Sequence, residues 1–540
     1  MRVRVGNGWP QLALAGLLAI ELVWASHGQV VNRPNLPDAY SSQRSSISHL
    51  LTDGDLYRTV AISDNTYDPG DLPHMVSFLS GVLSQAEVAD YVTYVKHKET
   101  LTPNLPLRYG IPSFDGYDGG LLPLRAYAEL KTLFPLAESA PDGRLREQLL
   151  SVPSPKLLGW LNVKYVLMDR VRDAWVDGAY YDLGIWRPLS SSSFSDSASS
   201  ADGRVELSRL PRFATTAIGV ISQLTSAEDV PEGTEVATLQ VTDAQGEVFS
   251  FSLRAGRDTA EARYGRASRR QEVAHRQARA VAAWPDETGS WSYYTLLRLP
   301  EPIYPRRIAV VSRLSGPKLE RPRFELRGLS LLDQRLGMSQ PVPLSDDLRL
   351  VHVGDVKLYE NLALLPRAFL VQRLRLVDSP QAALGALKDP AFEPSKEAVA
   401  IRSDWAGPVP SWDGEAAGVG TVEVVEYRPE HVALKARLDQ PGLLVLTDAY
   451  YPGWTVWVDG QEQPLRRVDY LFRGVVLTAG EHRIDFRYEP TSFRTGLLIS
   501  LASLLALTLG VACMLFPHLQ RPVYRIMGFG RSRQGPSVTT

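Results

Sequence analysis

Apolar residues gather at the two ends of this chain, and between them the hydrophobic period changes several times. Gly496–Phe516 reads GLLISLASLLALTLGVACMLF without one charged side chain. At 1.5 Å per residue its roughly 21 residues reach about 32 Å, enough for a hydrocarbon core of about 30 Å. Arg494 precedes it, and Arg521, Arg525, Arg531 and Arg533 follow. A shorter segment, Trp9–Trp24 (WPQLALAGLLAIELVW), stands behind Arg2 and Arg4 with a tryptophan at each end, where interfacial anchors belong. Glu21 sits one turn from Trp24, close enough to the interface to escape most of the cost of a carboxylate at a span centre. The pattern favours a retained helix over a cleavable signal peptide ending near Val23-Trp24-Ala25. Arginines belong on the cytoplasmic side of a membrane. Both termini are therefore expected inside, with residues 29–494 extracytoplasmic.

Between these segments, Tyr57–Ile62 and Val163–Met168 read as short buried strands, with helix-like spacing over Leu121–Pro135 and Leu145–Leu150. The serine-rich run Ser190–Ser200 reads as a solvated linker. The texture then becomes all-β. Thr234–Val241, Glu247–Leu253, Trp291–Leu299, Arg307–Ser312 and Arg323–Leu329 are β-branched or aromatic runs separated by turn residues. Lys357–Tyr359, Ala368–Gln372 and the helix-like Ser379–Lys388 suggest that the α/β part resumes after this insertion. From Gly420 to Pro490 six further strands are expected. Asp459-Gly460 forms a tight hairpin turn there, and HRIDFRY alternates Ile484, Phe486 and Tyr488 against Arg483, Asp485 and Arg487.

The expected fold class is α+β and multidomain: a mixed α/β domain with a jelly-roll-like β-sandwich insertion, a C-terminal membrane-proximal β-sandwich and two flanking transmembrane helices. The expected segments are a cytoplasmic N-terminus (1–8), a first span or signal anchor (9–28) and an exported α/β domain (29–200). A β-sandwich (201–335), a returning α/β segment (336–416) and a membrane-proximal sandwich (417–490) follow. A second span (495–516) and a basic cytoplasmic tail (517–540) close the chain.

Composition narrows the function. With 58 Lys+Arg against 60 Asp+Glu over 540 residues, the charge balance excludes a protein that coats nucleic acid. The single cysteine, Cys513, excludes an intramolecular disulfide framework and a cysteine-clustered metal site. The nine histidines form no HExxH or HxH cluster. No nucleophile elbow, Walker loop or dinucleotide fingerprint occurs, so no catalytic residue, cofactor or metal is assigned.

Several short runs are distinctive together. They are Phe114-Asp115-Gly116-Tyr117-Asp118-Gly119-Gly120, Trp160-Leu161-Asn162-Val163-Lys164-Tyr165-Val166-Leu167, and Leu358-Tyr359-Glu360-Asn361 with Leu365-Pro366-Arg367-Ala368. Tyr450-Tyr451-Pro452-Gly453-Trp454, Tyr470-Leu471-Phe472-Arg473-Gly474-Val475 and Gly480-Glu481-His482 complete the set before the terminal apolar run. In this order they resemble the C-terminal part of YfhO-type bacterial membrane proteins. The resemblance implies large polytopic glycosyltransferases of the GT-C type, which move sugar from a polyprenyl-phosphate carrier to cell-envelope polymers such as teichoic acids. It places the catalytic acidic residue in the first outward loop of a membrane-embedded half that these 540 residues do not match. The implied function is a membrane-anchored extracytoplasmic module of a cell-envelope glycosylation system. The alternative is a non-enzymatic carbohydrate-binding or structural surface protein. The implied partners are the lipid bilayer, a cell-envelope glycan or teichoic-acid-like polymer, and a polytopic membrane subunit.

Candidate carbohydrate contacts are Trp284, Trp291, Tyr293 and Tyr294, whose ring faces suit sugar stacking, and Asp115 and Asp118, three apart in a glycine-rich loop. Each has a plainer reading: core aromatics alternate in the same way, and sharp turns select Asp and Gly. The basic stretch Arg266, Arg269, Arg270, Arg276 and Arg279 could meet phosphate, although such runs are more often solvated surface.

Overall fold

The structure is a computed structural model. It describes residues 9–27, 42–62, 72–102, 104–116, 123–134, 136, 145–149, 152–170, 173–185, 187–189, 203–265, 272–283, 289–314, 322–405 and 420–515. It is a mixed α+β protein built on several sheets.

The first sheet shows how the chain is folded back on itself. Arg58–Ile62 lies parallel to Val163–Asp169, and Val356–Asn361 and then Leu348–Val353 complete the sheet in antiparallel order. Strands nearly 200 positions apart in the chain thus share one sheet, and most of the intervening residues form a separate β structure. Two antiparallel sheets make it up. One has the strand order Ala280–Ala283, Trp291–Ile303, Thr215–Thr225, Arg323–Asp333, Met338–Pro341, with Arg187–Leu189 added on Arg323–Asp333. The other runs Arg204–Leu207, Pro305–Ser312, Glu235–Asp243, Val248–Arg254. Ile218, Val220 and Leu329 from the first join Leu239, Val241 and Val310 from the second in one hydrophobic cluster.

The central strand Thr215–Thr225 is absent from the sequence expectations, for a physical reason. It is buried along both faces, so its apolar and polar residues do not alternate. Gly219 at its middle lets the Tyr181 hydroxyl come in, where a Cβ would lie 1.8 Å away. Tyr181 belongs to a small hairpin, Ala174–Val176 with Ala179–Tyr181, which covers the outer face of this sheet. Its two-residue turn, Asp177-Gly178, has both φ positive (51° and 79°), as a tight hairpin requires.

Helices differ most from expectation. Leu121–Pro135 resolves into a short helix, Arg125–Leu130, and a 3-10 turn, Lys131–Leu133, and Leu145–Leu150 into a 3-10 turn at Arg146–Gln148. Gln85–Glu99 is a full helix that the hydrophobic pattern does not announce. Its start is set by a reciprocal capping box between Ser84 and Glu87. The run Ser190–Ser200 lies outside the described residues.

The last sheets enclose a second core. Ala368–Val371, Gly442–Ala449, Phe472–Leu477 and Arg466–Val468 form one sheet in that order. Gly420–Arg428, His431–Leu438, Gly480–Tyr488, Trp454–Val458 and Gln461–Gln463 form the other. Leu434, Ile484 and Phe486 on one side meet Leu444, Leu446 and Val475 on the other. The Asp459-Gly460 turn is present with both φ positive. Asp485 departs from the expected polar face, since it is buried and held by His431 and Arg483. A parallel pair, Arg373–Val377 and Glu397–Ile401, is crossed over by the helix Pro380–Lys388, capped by Ser379.

Only Glu489 and Pro490 separate the strand Gly480–Tyr488 from a 25-residue helix, Thr491–Leu515. Among the described residues it is the one helix long and apolar enough to cross a membrane, and none of that span is buried within the molecule. The N-terminal helix Trp9–His27 has a shorter apolar part, Ala13–His27.

One buried ion cluster joins the first sheet to the inserted β structure. The Lys357 ammonium lies 2.7 Å from both Asp173 and Asp182, and the Tyr359 hydroxyl donates to Asp182 at 2.5 Å. Removing the cation leaves two buried carboxylates without their counter-charge. Lys357→Met is expected to lower unfolding stability by about 3–5 kcal/mol. Urea denaturation checks this, and a loss below 1 kcal/mol would show that the cluster is dispensable.

Candidate functional site

Four of the six motifs that are weak singly in the sequence meet at one place in space. Asn162, in the run before Val163–Asp169, accepts from Arg367 Nη1 at 3.2 Å. Arg367 lies just ahead of the strand Ala368–Val371 and reaches Asp448 at 3.0 Å. Arg58, the first residue of its strand, donates to Asp448 Oδ1 at 3.0 Å and to the Thr447 carbonyl at 2.7 Å. Arg473 stands 4.0 Å from the other carboxylate oxygen, donates to the Ala449 carbonyl at 3.0 Å, and lies 3.6 Å over the Trp454 ring. The Tyr427 hydroxyl donates to Asp448 at 2.9 Å and accepts from Arg367.

Three guanidiniums therefore surround one carboxylate. Their side chains are 11%, 6% and 6% exposed for Arg58, Arg367 and Arg473, and that of Asp448 is 8%. Burial alone would raise the Asp448 carboxyl, but Arg367, Arg58 and Arg473 outweigh it and hold it below the usual range. Burial, with Arg367 beside it, lowers Arg58 to about 10, and burial also lowers Arg473. Tyr427 is raised by burial and by Asp448. Even so, Arg367 Nε and Arg473 Nη1 are buried with no hydrogen-bond partner. The cluster is cationic and incompletely satisfied.

A second junction lies beside it. Asp469 and Tyr470 both hold positive φ (50° and 70°) in the turn ahead of Phe472–Leu477. The Asp469 carboxyl accepts from Val399 N at 2.7 Å and from Trp160 Nε1 at 3.4 Å. Burial pushes it up to about 7.

The proposed carbohydrate contacts are scattered by the fold. Trp284 and Asp118 lie outside the described residues. Trp291 is half-buried at the start of its strand. Tyr293 is 0% exposed and its hydroxyl donates to the Glu261 carbonyl at 2.7 Å. Tyr294 is covered by the Tyr181 ring on one side and the Arg279 guanidinium on another. Burial leaves neither tyrosine a ring face for a sugar. Asp115 is buried and accepts from Leu145 N at 2.9 Å and Arg146 N at 3.0 Å, so both oxygens fasten a 3-10 turn. Burial pushes it up to about 6. Among the described residues no group of acidic or histidine side chains could hold a metal. Of the basic stretch, Arg276 pairs with Glu232 and Arg279 with Asp177, while 266–270 lie outside the described residues.

Sequence reasoning missed Arg58, Tyr427 and Asp448. The available signal was the motifs themselves, because Asn162, Arg367, Trp454 and Arg473 all stand within them.

A β-sandwich runs directly into a helix long and apolar enough to cross a membrane, which supports membrane association. Residues 419–500, which take in all strands of the last sandwich but Ala368–Val371 and the first turns of that helix, match the family described as bacterial membrane protein YfhO. Over 81 residues the chain is 27% identical to the uncharacterized protein YfhO of Bacillus subtilis strain 168, a stretch covering 15% of this chain and 9% of that protein. Two cryo-EM structures of the arabinofuranosyltransferase AftD from Mycobacteria, one of a mutant, superpose on 65% and 67% of this chain and on 28% and 27% of theirs. Identity is 12% and 13% and the TM-score 0.16, so the superposition does not describe this fold. This chain spans less than a third of the length of any of these proteins. The YfhO resemblance is thus shown, at residues 419–500.

Asp469 and Asp115 bring a pH dependence with a definite sign. Both titrate higher in the folded chain than their ordinary 3.8, so folding takes up protons. Their stabilisation is complete below about pH 4 and is lost as pH rises through about 6 for Asp115 and about 7 for Asp469. The unfolding free energy from urea denaturation should fall between pH 4 and 7, by an amount on the order of 2–4 kcal/mol for Asp469. Asp469→Asn should flatten the upper part of that fall. An unchanged slope in this variant would contradict the assignment.

Proposed function

We propose that this chain is a membrane-anchored extracytoplasmic module of a YfhO-type cell-envelope glycosylation system. In this reading residues 29–494 face away from the cytoplasm, and segments 9–28 and 495–516 hold them at the bilayer. The arginines flanking those segments favour that orientation. The jelly-roll-like sandwich and the membrane-proximal sandwich meet an acceptor glycan, a teichoic-acid-like polymer or a polytopic membrane subunit. Sugar-transfer chemistry is then supplied by membrane-embedded residues beyond those described, in the same or a partner polypeptide.

The observation that carries the reading is the junction at Glu489-Pro490. A family-matched sandwich passes within two residues into a helix with no buried face. Around that junction the Tyr488 ring lies 5.3 Å from that of Trp454 and 6.4 Å from that of Tyr451, and Phe493 is 68% exposed. Aromatic side chains at the end of an apolar helix favour the membrane interface. Half-buried Trp291 remains the candidate sugar contact in the inserted sandwich.

Two measurements test the proposal. In a Cys513→Ser background, Leu336→Cys on the exposed surface should react with an impermeant maleimide in intact cells, and Arg533→Cys only after permeabilisation. The reverse pattern would overturn the orientation. On an array of envelope glycans the full chain should bind at least one polymer, and Trp291→Ala should weaken that binding about tenfold while preserving the circular dichroism spectrum. Absence of binding to every envelope glycan would remove the acceptor-contact role.

A further inference from the structure

We infer that the Arg58–Arg367–Arg473 cluster is a binding site for a phosphoryl oxyanion at the foot of the membrane-proximal sandwich. Three fixed positive charges face one carboxylate, leaving a surplus of two in a largely buried place. Unpaired buried charge is costly, and an anion that completes the pairing removes that cost. The orphaned N–H groups of Arg367 and Arg473 are the donors still without an acceptor. A guanidinium presents planar paired donors, and several converging suit a tetrahedral oxyanion, which offers acceptors in several directions.

Other features of the cluster argue against a purely structural ion pair. Asp448 already receives Arg58, Arg367 and the Tyr427 hydroxyl, so it has little capacity left for Arg473 at 4.0 Å. Arg473 is held by the Ala449 carbonyl and the Trp454 face, which fix its direction without neutralising it. Tyr427, on the edge strand Gly420–Arg428, covers Arg367 and Asp448 with its hydroxyl.

Position narrows the source of the anion. Trp454 pairs with Tyr488, and Thr491 begins the apolar helix three residues later, about 10 Å along an extended chain. A phospholipid headgroup and soluble phosphate both fit this chemistry. The site stands on side-chain geometry alone, and only the headgroup source rests on the membrane reading above.

Equilibrium dialysis of radiolabelled inorganic phosphate against the full chain in dodecyl maltoside tests the site. Saturable uptake of about one phosphate per chain is expected, at least tenfold weaker in Arg473→Gln and partly restored in Arg473→Lys. Tyr427→Phe, which frees Arg367 of its hydroxyl contact, should bind more tightly. The surface variant Arg437→Gln should bind as wild type does, and circular dichroism confirms that each variant is folded. In phospholipid nanodiscs, disappearance of the uptake identifies the headgroup as the natural occupant, whereas persistence identifies soluble phosphate. Either result supports the site. Absence of saturable uptake in maltoside, or equal uptake by a folded Arg473→Gln, would overturn it. An inverted maleimide pattern would overturn the membrane orientation while leaving the maltoside result untouched, so the two failures are distinguishable.

Discussion

The Asp448 carboxylate is the interaction on which the rest of the arrangement depends. It sits in the final sandwich, yet it is reached by Arg58 from the first sheet, by Arg367 at the entry to the sandwich and by Arg473 across it. Arg58 is 390 positions from Asp448 in the chain. Around this point Trp160 and Val399 meet Asp469, and the Trp160 ring packs against Phe472 at 5.2 Å. The first sheet, the small parallel pair and the last sandwich are thus bound together by a few buried polar contacts over a continuous apolar core. Since a buried charge whose partner is removed is far more costly than one left paired, these contacts fix the relative placement of the sheets.

The same logic recurs where the first sheet meets the inserted β structure. Lys357 is clasped by Asp173 and Asp182, with Tyr180 and Tyr359 donating to the two carboxylates. There two acids share one base, and at Asp448 three bases share one acid. In the acidic cluster the tyrosine hydroxyls each bind one carboxylate oxygen, and Asp182 Oδ2 is left without a partner. The basic one has donors to spare, which is why it is the place to look for a ligand.

The sequence made some of this legible. The terminal apolar run is readable because it is long and uncharged, and the helix found there, Thr491–Leu515, begins a few residues earlier than Gly496 because Thr491–Thr495 can also complete helical turns. Asp459-Gly460 is readable because few residue pairs accept two positive φ angles. Ile484 and Phe486 follow strict alternation into the core. The strand Thr215–Thr225 is not readable from alternation, being buried on both faces. Asp115 reads as a carbohydrate contact or a turn residue in a glycine-rich loop, but its partners are backbone N–H groups about thirty residues away. The guanidinium cluster is the extreme case. Its members are legible as motif residues, but only folding shows that they converge, since 205 positions separate Arg367 from Asn162.

Hydrogen–deuterium exchange of the full-length Asp448→Asn variant tests the central claim most directly. If this carboxylate couples the first sheet to the last sandwich, amides in Arg58–Ile62, Ala368–Val371 and Phe472–Leu477 should lose protection together, because three guanidiniums lose their common counter-charge. Faster exchange confined to Phe472–Leu477, with Arg58–Ile62 as protected as in the wild type, would contradict it.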